Sequence, residues 1–325
     1  MLVRLLMIAV AALILARNSV LSALGLSALP LAILIGMICG NLVRSEFSGR
    51  DTAVLVFSQQ QVLRLGIILF GFNISFQQIA SIGYQAVLLD ILVIVVVLSL
   101  GIFAGVKLFR LPRELAVLTS VGSAVCGAAA IMAAEPVVKA KEKDVTVAVA
   151  TVVVFGTLAM FTYPVIYRFA DMEPSAFGIY IGSTVHEVAQ AVAAGESVSA
   201  EAMNAAVVAK LIRVMLLAPV VIALSMLMFR NTADTGEKRP VPIPWFVFGF
   251  IAAAALNSVL VLPETVLDGL KFSAQICLAV AMAALGFKTR WATIRHVGVR
   301  PLILSLLLFL TLMLGGFALN LLFYG

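Results

Sequence analysis

Residues 86–109 read AVLLDILVIVVVLSLGIFAGVKLF, an apolar run broken by one acidic residue, Asp90, and closed by Lys107. An α-helix needs roughly 20 predominantly apolar residues to cross a bilayer, and this run supplies them. Similar runs fill the chain: hydrophobic residues make up 63% of its 325 residues, charged residues only 12%, and the mean hydropathy is +1.15. A soluble core could not hide so much apolar surface, so the sequence predicts an all-α membrane protein.

The apolar runs and the breakers between them predict a single polytopic membrane domain, 1–325, with about 9–11 transmembrane segments. The expected elements are 5–17, 24–43, 56–81, 86–109, 115–135, 145–168, 175–195, 203–229, 243–262, 267–287 and 300–323. The cysteines lie inside apolar runs without disulfide or zinc spacing, and no cofactor or metal is expected. The net charge of +6 comes mostly from residues at span ends, which does not indicate nucleic-acid binding. Membrane lipid is the expected surrounding, and homo-oligomerisation is left open.

A short motif occurs twice, as GSAVCG at 122–127 and as GSTVHE at 182–187. Each copy leads through small residues into a longer apolar run with a late proline, Pro164 or Pro219. We therefore predict two internal repeats, 24–168 and 174–323, with the order of their elements permuted.

Charge patterning predicts how the repeated motifs lie in the membrane. Both loops that flank 115–135 are basic, whereas both flanks of 175–195 are mainly acidic. Because Lys and Arg favour the cytoplasmic side, each element is expected to enter the membrane and return, on opposite sides. This predicts inverted-topology repeats with two interrupted or re-entrant helices near the midplane, as in many secondary transporters. Interrupted helices that cross the membrane remain an alternative. The expected location is the bacterial inner membrane, with a cytoplasmic N-terminus and a periplasmic C-terminus.

A polar stripe within 175–195 is the strongest candidate site. Ser183, His186, Glu187 and Gln190 fall at helical spacing i, i+3, i+4 and i+7, and so share one helix face. Polar and ionisable side chains at membrane depth are costly and usually mark a pathway for substrate or protons. The alternative interpretation is an interhelical hydrogen-bond cluster.

The duplicated Gly-Ser pairs, Gly122-Ser123 and Gly182-Ser183, suit helix starts, because Gly allows close approach and Ser is a good N-cap. Two helix N-termini meeting near the midplane would present unpaired N–H groups to an anion. Packing of small residues is the alternative. Lys210 and Arg213, one turn apart, would attract an anion or form structural charge pairs.

The candidate residues fall into two groups. Those expected to bind substrate are Gly122, Ser123, Cys126, Gly182, Ser183, Thr184, Gln190 and Asn73. Those expected to carry charge or a coupling proton are His186, Glu187, Lys210 and Arg213, since His titrates near neutral pH. Asp90, near a predicted helix end, is interpreted as a cap or ion pair.

Five stretches carry a family resemblance: LGIIL (65–69), CGAAA (126–130), EPVVKA (135–140), TVAVAT (146–151) and GIYIGSTVHEVAQ (178–190). They resemble the YeiH family of bacterial inner-membrane proteins. The resemblance runs from about Leu29 to the C-terminus. The family is labelled as sulfate exporters, so the resemblance implies export of sulfate or a related sulfonate.

Together, the patterns and the resemblance favour a secondary transporter, an exporter of a small inorganic or organic oxyanion such as sulfate or a sulfonate, with possible proton coupling. One alternative is a cation–proton antiporter with Glu187 as the ion ligand. A second is an intramembrane enzyme with Cys126 as nucleophile and His186 as base, although no common enzyme motif occurs.

Overall fold

The computed structural model describes residues 1–18, 27–42, 49–229, 245–260, 262–289 and 297–324. Within these ranges every regular element is a helix, which confirms the prediction of an all-α membrane protein. The helices are α1 (Leu2–Leu15), α2 (Ala28–Leu42), α3 (Gly49–Asn73), α4 (Gly83–Leu108), α5 (Arg113–Ala124), α6 (Ala128–Val138), α7 (Glu142–Ala170), α8 (Pro174–Thr184), α9 (Val188–Glu196), α10 (Ala200–Leu227), α11 (Trp245–Val259), α12 (Glu264–Lys288) and α13 (Val299–Tyr324).

Six of the described helices are long and apolar enough to cross a membrane: α3, α4, α7, α10, α12 and α13. Four shorter apolar helices, α1, α2, α6 and α11, accompany them. Large apolar side chains such as Val95, Phe169 and Leu322 are exposed on the outer surface of the helices. In a membrane protein this surface faces lipid, so the exposed side chains carry no solvation penalty.

The helices form two groups by their contacts. Bundle A consists of α1, α2, α3, α11 and α12, and bundle B consists of α4 to α10 and α13. Within the described part of the chain, the bundles meet mainly where α9 packs on α2 and α12 and where α4 packs on α11. The late elements α11 and α12 thus join the first elements of the chain in bundle A.

Small residues bring α2 and α12 into backbone contact. Gly36 and Gly40 of α2 lie against the carbonyl oxygens of Ala283 and Phe287, and Gly286 of α12 lies against that of Ile33. A Cβ at any of the three glycines would overlap a backbone oxygen. This is the small-xxx-small geometry by which membrane helices pack closely without a hydrophobic driving force.

The segment 174–196 enters bundle B and returns. Gly178 near its beginning and Gly195 near its end both lie against the carbonyl oxygen of Ala202 in α10. Its midpoint lies deeper, because Val185 O accepts a hydrogen bond from Lys210, eight residues further along α10. Eight helical residues span about 12 Å. The segment therefore goes in along α10 and folds back beside it, which is the path of a re-entrant segment.

The segment 113–138 folds back in the same way. A Cβ on Gly122 in α5 would lie 2.7 Å from Cδ1 of Ile131 in α6. In a continuous helix these residues, nine positions apart, would be separated by about 13 Å along the axis. Both re-entrant segments therefore bring irregular backbone into the interior of bundle B, where it is shielded from lipid.

Candidate functional site

The two re-entrant segments are interrupted at equivalent positions of the duplicated motif. The first break is Val125-Cys126-Gly127, between α5 and α6, and the second is Val185-His186-Glu187, between α8 and α9. Gly127 adopts φ +68° and ψ −134°, a backbone conformation that strongly favours glycine. The sequence therefore places a glycine, which readily interrupts a helix, where the chain turns back at the first break.

The structure corrects the placement of the Gly-Ser pairs. Gly122-Ser123 and Gly182-Ser183 lie at the C-terminal ends of α5 and α8, not at helix starts. The Ser183 hydroxyl donates to Ile179 O, one turn back in its own helix, and so cannot act as an N-cap. The glycines instead allow close packing: Gly182 lies against α10, and Gly122 lies against Ile131.

Lys210 of α10 lies between the two breaks and is fully buried. Its Nζ donates to Val125 O at 3.0 Å and also to Val185 O. These are carbonyl groups that the interrupted helices leave without intrahelical partners. One ammonium group therefore binds the end of α5 to the end of α8.

Arg213, one turn further along α10, binds the same helix ends and is also fully buried. Its Nε donates to Ala124 O at 2.7 Å, one terminal nitrogen donates to Ser123 O at 3.0 Å, and the other donates to Ser183 O. The C-terminal end of a helix carries partial negative charge, so two cations are stabilised where two such ends meet. In this conformation the bonded nitrogens of Lys210 and Arg213 are directed at backbone carbonyls, and attraction of an anion by these residues stays a prediction.

Glu187 lies at the opposite, N-terminal ends of the half-helices. Its carboxylate accepts a hydrogen bond from the N–H of Gln190 in α9 and another from the N–H of Ala128 in α6. It is half-buried, and Lys288 at the end of α12 interacts with its charge. Glu187 therefore occupies the positive ends of both half-helices, at the place where bundle B faces bundle A.

Gln190 completes this arrangement from within α9. Its Oε1 accepts the N–H of Glu187 at 3.2 Å, which forms a capping box, and its Nε2 donates to Thr157 Oγ1 at 3.4 Å. Thr184 donates to Tyr180 O at 2.5 Å. The side chains of Gln190 and Thr184 are therefore committed to structural hydrogen bonds in this conformation.

Two buried polar side chains at the breaks have unused hydrogen-bonding atoms, and a buried thiol lies beside them. The Ser123 hydroxyl and both ring nitrogens of His186 find no partner among the described residues, although both side chains are only 1% exposed. Cys126 is buried in the first break. Because an unpaired polar atom in the interior is costly, these groups are available to bind a small ligand.

Asp90 is the site residue that sequence reasoning missed. It belongs to α4, is fully buried, and interacts electrostatically with Arg213 and Lys210. The sequence placed it near a helix end as a cap or ion pair, because it stands early in its apolar run. Its charge inside a membrane span was the signal that could have identified it.

Asn73 lies apart from the residues at the two breaks. It ends α3 in bundle A, is half-buried, and donates to Phe70 O at 3.2 Å, and its turn packs on α11 and α12. The other predicted residues come together at the breaks or one turn from them. Eight of them form, together with Asp90, a group that we name the break cluster: Ser123, Cys126, Ser183, His186, Glu187, Gln190, Lys210 and Arg213.

Comparison with known proteins places the chain among bacterial membrane proteins. Residues 1–305 match the family model described as conserved hypothetical protein 698. The UPF0324 inner membrane protein YeiH is 47% identical in Salmonella typhi over 93% of this chain and 87% of that protein, and 47% identical in Escherichia coli K12 over 91% and 86%. A UPF0324 membrane protein of Pseudomonas aeruginosa is 44% identical over 94% and 88%. No solved structure matches.

Proposed function

We propose, from the premise that the chain belongs to the conserved hypothetical protein 698 (UPF0324) family, that it is a secondary transporter of a small oxyanion such as sulfate or a sulfonate. Export coupled to proton movement is the mode that we propose. Membership of this family supports a location in the membrane, because relatives are named inner membrane proteins, but it does not identify a substrate.

The observation that carries the proposal is the position of the Glu187 carboxylate. It accepts N–H groups from the first turns of α6 and α9, so the protein's own anionic group occupies a place where two positive helix ends converge. The unpartnered Ser123 hydroxyl and His186 ring supply further polar atoms at the breaks. A small oxyanion that replaced the carboxylate could use the same N–H groups.

Competition between the oxyanion and the Glu187 carboxylate for these N–H groups would couple anion binding to proton binding. When an oxyanion takes the N–H groups, the Glu187 carboxylate loses its partners, and an unpaired buried carboxylate is best accommodated by taking up a proton. Anion binding is then accompanied by proton binding, and release of the anion is accompanied by release of the proton. The site lies where α9 of bundle B contacts bundle A, so a shift of one bundle against the other would change the side to which it opens.

Two alternatives fit the contacts less well. A cation–proton antiporter needs an acidic group free to bind a metal ion, but Lys210 and Arg213 place two positive charges beside Asp90, and Lys210 also acts on Glu187. An enzyme with Cys126 and His186 needs a hydrogen bond between them, and neither ring nitrogen of His186 has a partner among the described residues.

The test is ligand stabilisation of the purified protein, followed by flux. Sodium sulfate and sodium methanesulfonate should raise the unfolding temperature relative to sodium gluconate at equal ionic strength, because a ligand stabilises the state that binds it. Liposomes loaded with sulfate should then accumulate labelled external sulfate by exchange. Stabilisation by Na⁺ or K⁺ chloride, without any anion effect, would favour the antiporter instead.

A matched pair of serine variants locates the site. Ser123→Ala should remove the response to sulfate, because the Ser123 hydroxyl has no partner among the described residues and is available to the anion. Ser120→Ala, one turn earlier in α5, is the control, because the Ser120 hydroxyl already donates to Ala116 O at 2.6 Å. Equal responses of the two variants would place the anion elsewhere.

A further inference from the structure

Asp90 is an acidic group without an assigned partner in the middle of bundle B. It is fully buried, and neither of its carboxylate oxygens receives a hydrogen bond from the residues that the structure describes. It is the only aspartate among the described residues that is fully buried. Buried carboxylates normally accept several hydrogen bonds or pair directly with a cation, so this one calls for an explanation.

The groups that face Asp90 do not pair with it in this conformation. Arg213 and Lys210 of α10 act on its charge, but neither comes within ion-pair distance, and their bonded nitrogens donate to backbone carbonyls at the breaks. Tyr324 of α13 also interacts electrostatically with it. These are the titratable and charged groups that surround it among the described residues.

The hydroxyl of Ser183 completes the surroundings of Asp90. Ser183 lies beside the carboxyl group, but its hydrogen is donated to Ile179 O at 2.8 Å. No hydrogen bond joins the Ser183 hydroxyl to the Asp90 carboxylate in this conformation. A hydroxyl oxygen that donates its hydrogen elsewhere can still accept one, so Ser183 is a neighbour that could accept a hydrogen bond from Asp90 once that side chain is protonated.

Charge balance in the break cluster connects Asp90 to transport. Lys210 and Arg213 carry two positive charges, and Asp90 and Glu187 carry two negative charges when both are ionised. His186 is counted as uncharged beside the two cations, and Lys288 is exposed and screened by solvent. The empty cluster is then neutral. A bound divalent oxyanion leaves it neutral only if both carboxylates take up a proton, and burying net charge is costly.

We propose that Asp90 binds a second coupling proton, so that one divalent oxyanion moves together with two protons, one on Glu187 and one on Asp90. This inference rests on the proposed transport of an oxyanion. Each proton binds a carboxylate oxygen as the anion enters and leaves with it, so the loaded and empty clusters have the same charge. Transport of sulfate is then electroneutral.

The test measures proton stoichiometry and voltage dependence in liposomes. The pH gradient that balances a set sulfate gradient gives the number of protons per sulfate, and a K⁺ gradient with valinomycin sets the membrane potential. The wild type should give two protons per sulfate and no response to voltage. Asp90→Asn should give one proton and a flux that responds to voltage, because sulfate would then carry one uncompensated negative charge. Asp90→Glu should restore two protons.

Two further measurements make each outcome decisive. Asp144→Asn, in the first turn of α7, is the control and should behave as the wild type. If Asp90→Asn does not fold, the wild-type ratio decides, and labelling with ¹³C-aspartate identifies in the infrared spectrum whether a protonated aspartic acid appears on addition of sulfate. Two protons per sulfate in Asp90→Asn, or one in the wild type, would overturn the role of Asp90. Absence of sulfate or sulfonate exchange in the wild type would overturn the proposed function itself.

Discussion

Gly127 in the first break lies directly against Glu187 in the second: a Cβ on Gly127 would stand 2.5 Å from Cγ of Glu187. Because Gly127 has no side chain, the carboxylate can reach past it to the N–H of Ala128. The two breaks are therefore complementary. The second break supplies the Glu187 carboxylate that caps α6 and α9. The first break supplies, at Gly127, the space in which this carboxylate lies.

This relationship predicts that Gly127→Ala destabilises the protein strongly. The substitution places a Cβ on a residue with φ +68° and also displaces Glu187. We expect a loss of about 2 to 4 kcal/mol, from backbone strain and from overpacking. Thermal unfolding in detergent measures the loss, and the response to sulfate should disappear with it.

Gly83→Ala separates the cost of backbone strain from the cost of overpacking against Glu187. Gly83 has a similar φ of +71°, but a Cβ there would meet nothing within 4 Å. It should therefore lose only the strain contribution, of about 1 to 3 kcal/mol, and keep its response to sulfate. Equal losses in the two variants would show that contact with Glu187 contributes nothing.

A second prediction concerns the cations at the helix ends. Arg213→Met should cost about 3 to 5 kcal/mol, because it leaves buried carbonyls of α5 and α8 unsatisfied and removes a charge that balances Asp90. Arg213→Lys should recover only part of this, since an ammonium cannot present the forked donors of a guanidinium. Arg64→Met is the control, because Arg64 is exposed and rests over the Phe246 ring. Unfolding temperatures would contradict the prediction if Arg64→Met were as harmful as Arg213→Met.

The sequence was sufficient for the class of the protein and for the positions of the breaks. Apolar composition predicts the membrane helices, and the duplicated GSAVCG and GSTVHE motifs coincide with the two interruptions. The sequence did not show whether the Gly-Ser pairs lie at the N-terminal or the C-terminal ends of helices. Gly and Ser are compatible with starts and with close packing, and only the fold determines whether α5 and α8 end or begin there.

For the charged residues, the sequence likewise predicted only part of the structure. Their burial could be expected from the sequence, because Lys210, Arg213 and Glu187 stand in apolar segments. Their partners could not, since Lys210 binds a carbonyl 85 positions away and Arg213 one 90 positions away. Asp90 was misjudged because proximity in sequence to a helix end says nothing about Arg213, which approaches it from α10. The repeat boundaries 24–168 and 174–323, and the inverted orientation, stay predictions.

A third prediction concerns topology. Because Gly178 and Gly195 both contact Ala202, single cysteines at Asp171 and Glu201 should react with an impermeant thiol reagent from the same side of the membrane. The basic flanks predict that cysteines at Lys107 and Lys141 react from the other, cytoplasmic side. All four positions are exposed, and the background would lack the three native cysteines. Labelling of Asp171 and Glu201 positions from opposite sides would contradict the re-entrant path.

The last prediction concerns the pH dependence of sulfate binding. If Glu187 gives up its N–H partners and takes a proton when the anion binds, the apparent affinity of the wild type for sulfate must rise as pH falls. In Glu187→Gln the amide oxygen can still accept both N–H groups, so the fold should be kept, but the side chain binds no proton. The variant should therefore bind sulfate with a weaker dependence on pH, and its flux should respond to voltage.

His186→Phe, which keeps a buried ring but removes the ring nitrogens, distinguishes this coupling from a purely structural role. The ring nitrogens of His186 make no hydrogen bond to the described residues, so their loss should leave the unfolding temperature nearly unchanged while weakening sulfate binding at every pH. Titration of the two variants and the wild type with sulfate across a pH series, beside their unfolding temperatures, measures both quantities. A structural role would lower stability and binding together in each variant. An unchanged pH dependence in Glu187→Gln would remove Glu187 from the coupling mechanism, because a different group would then have to bind the proton.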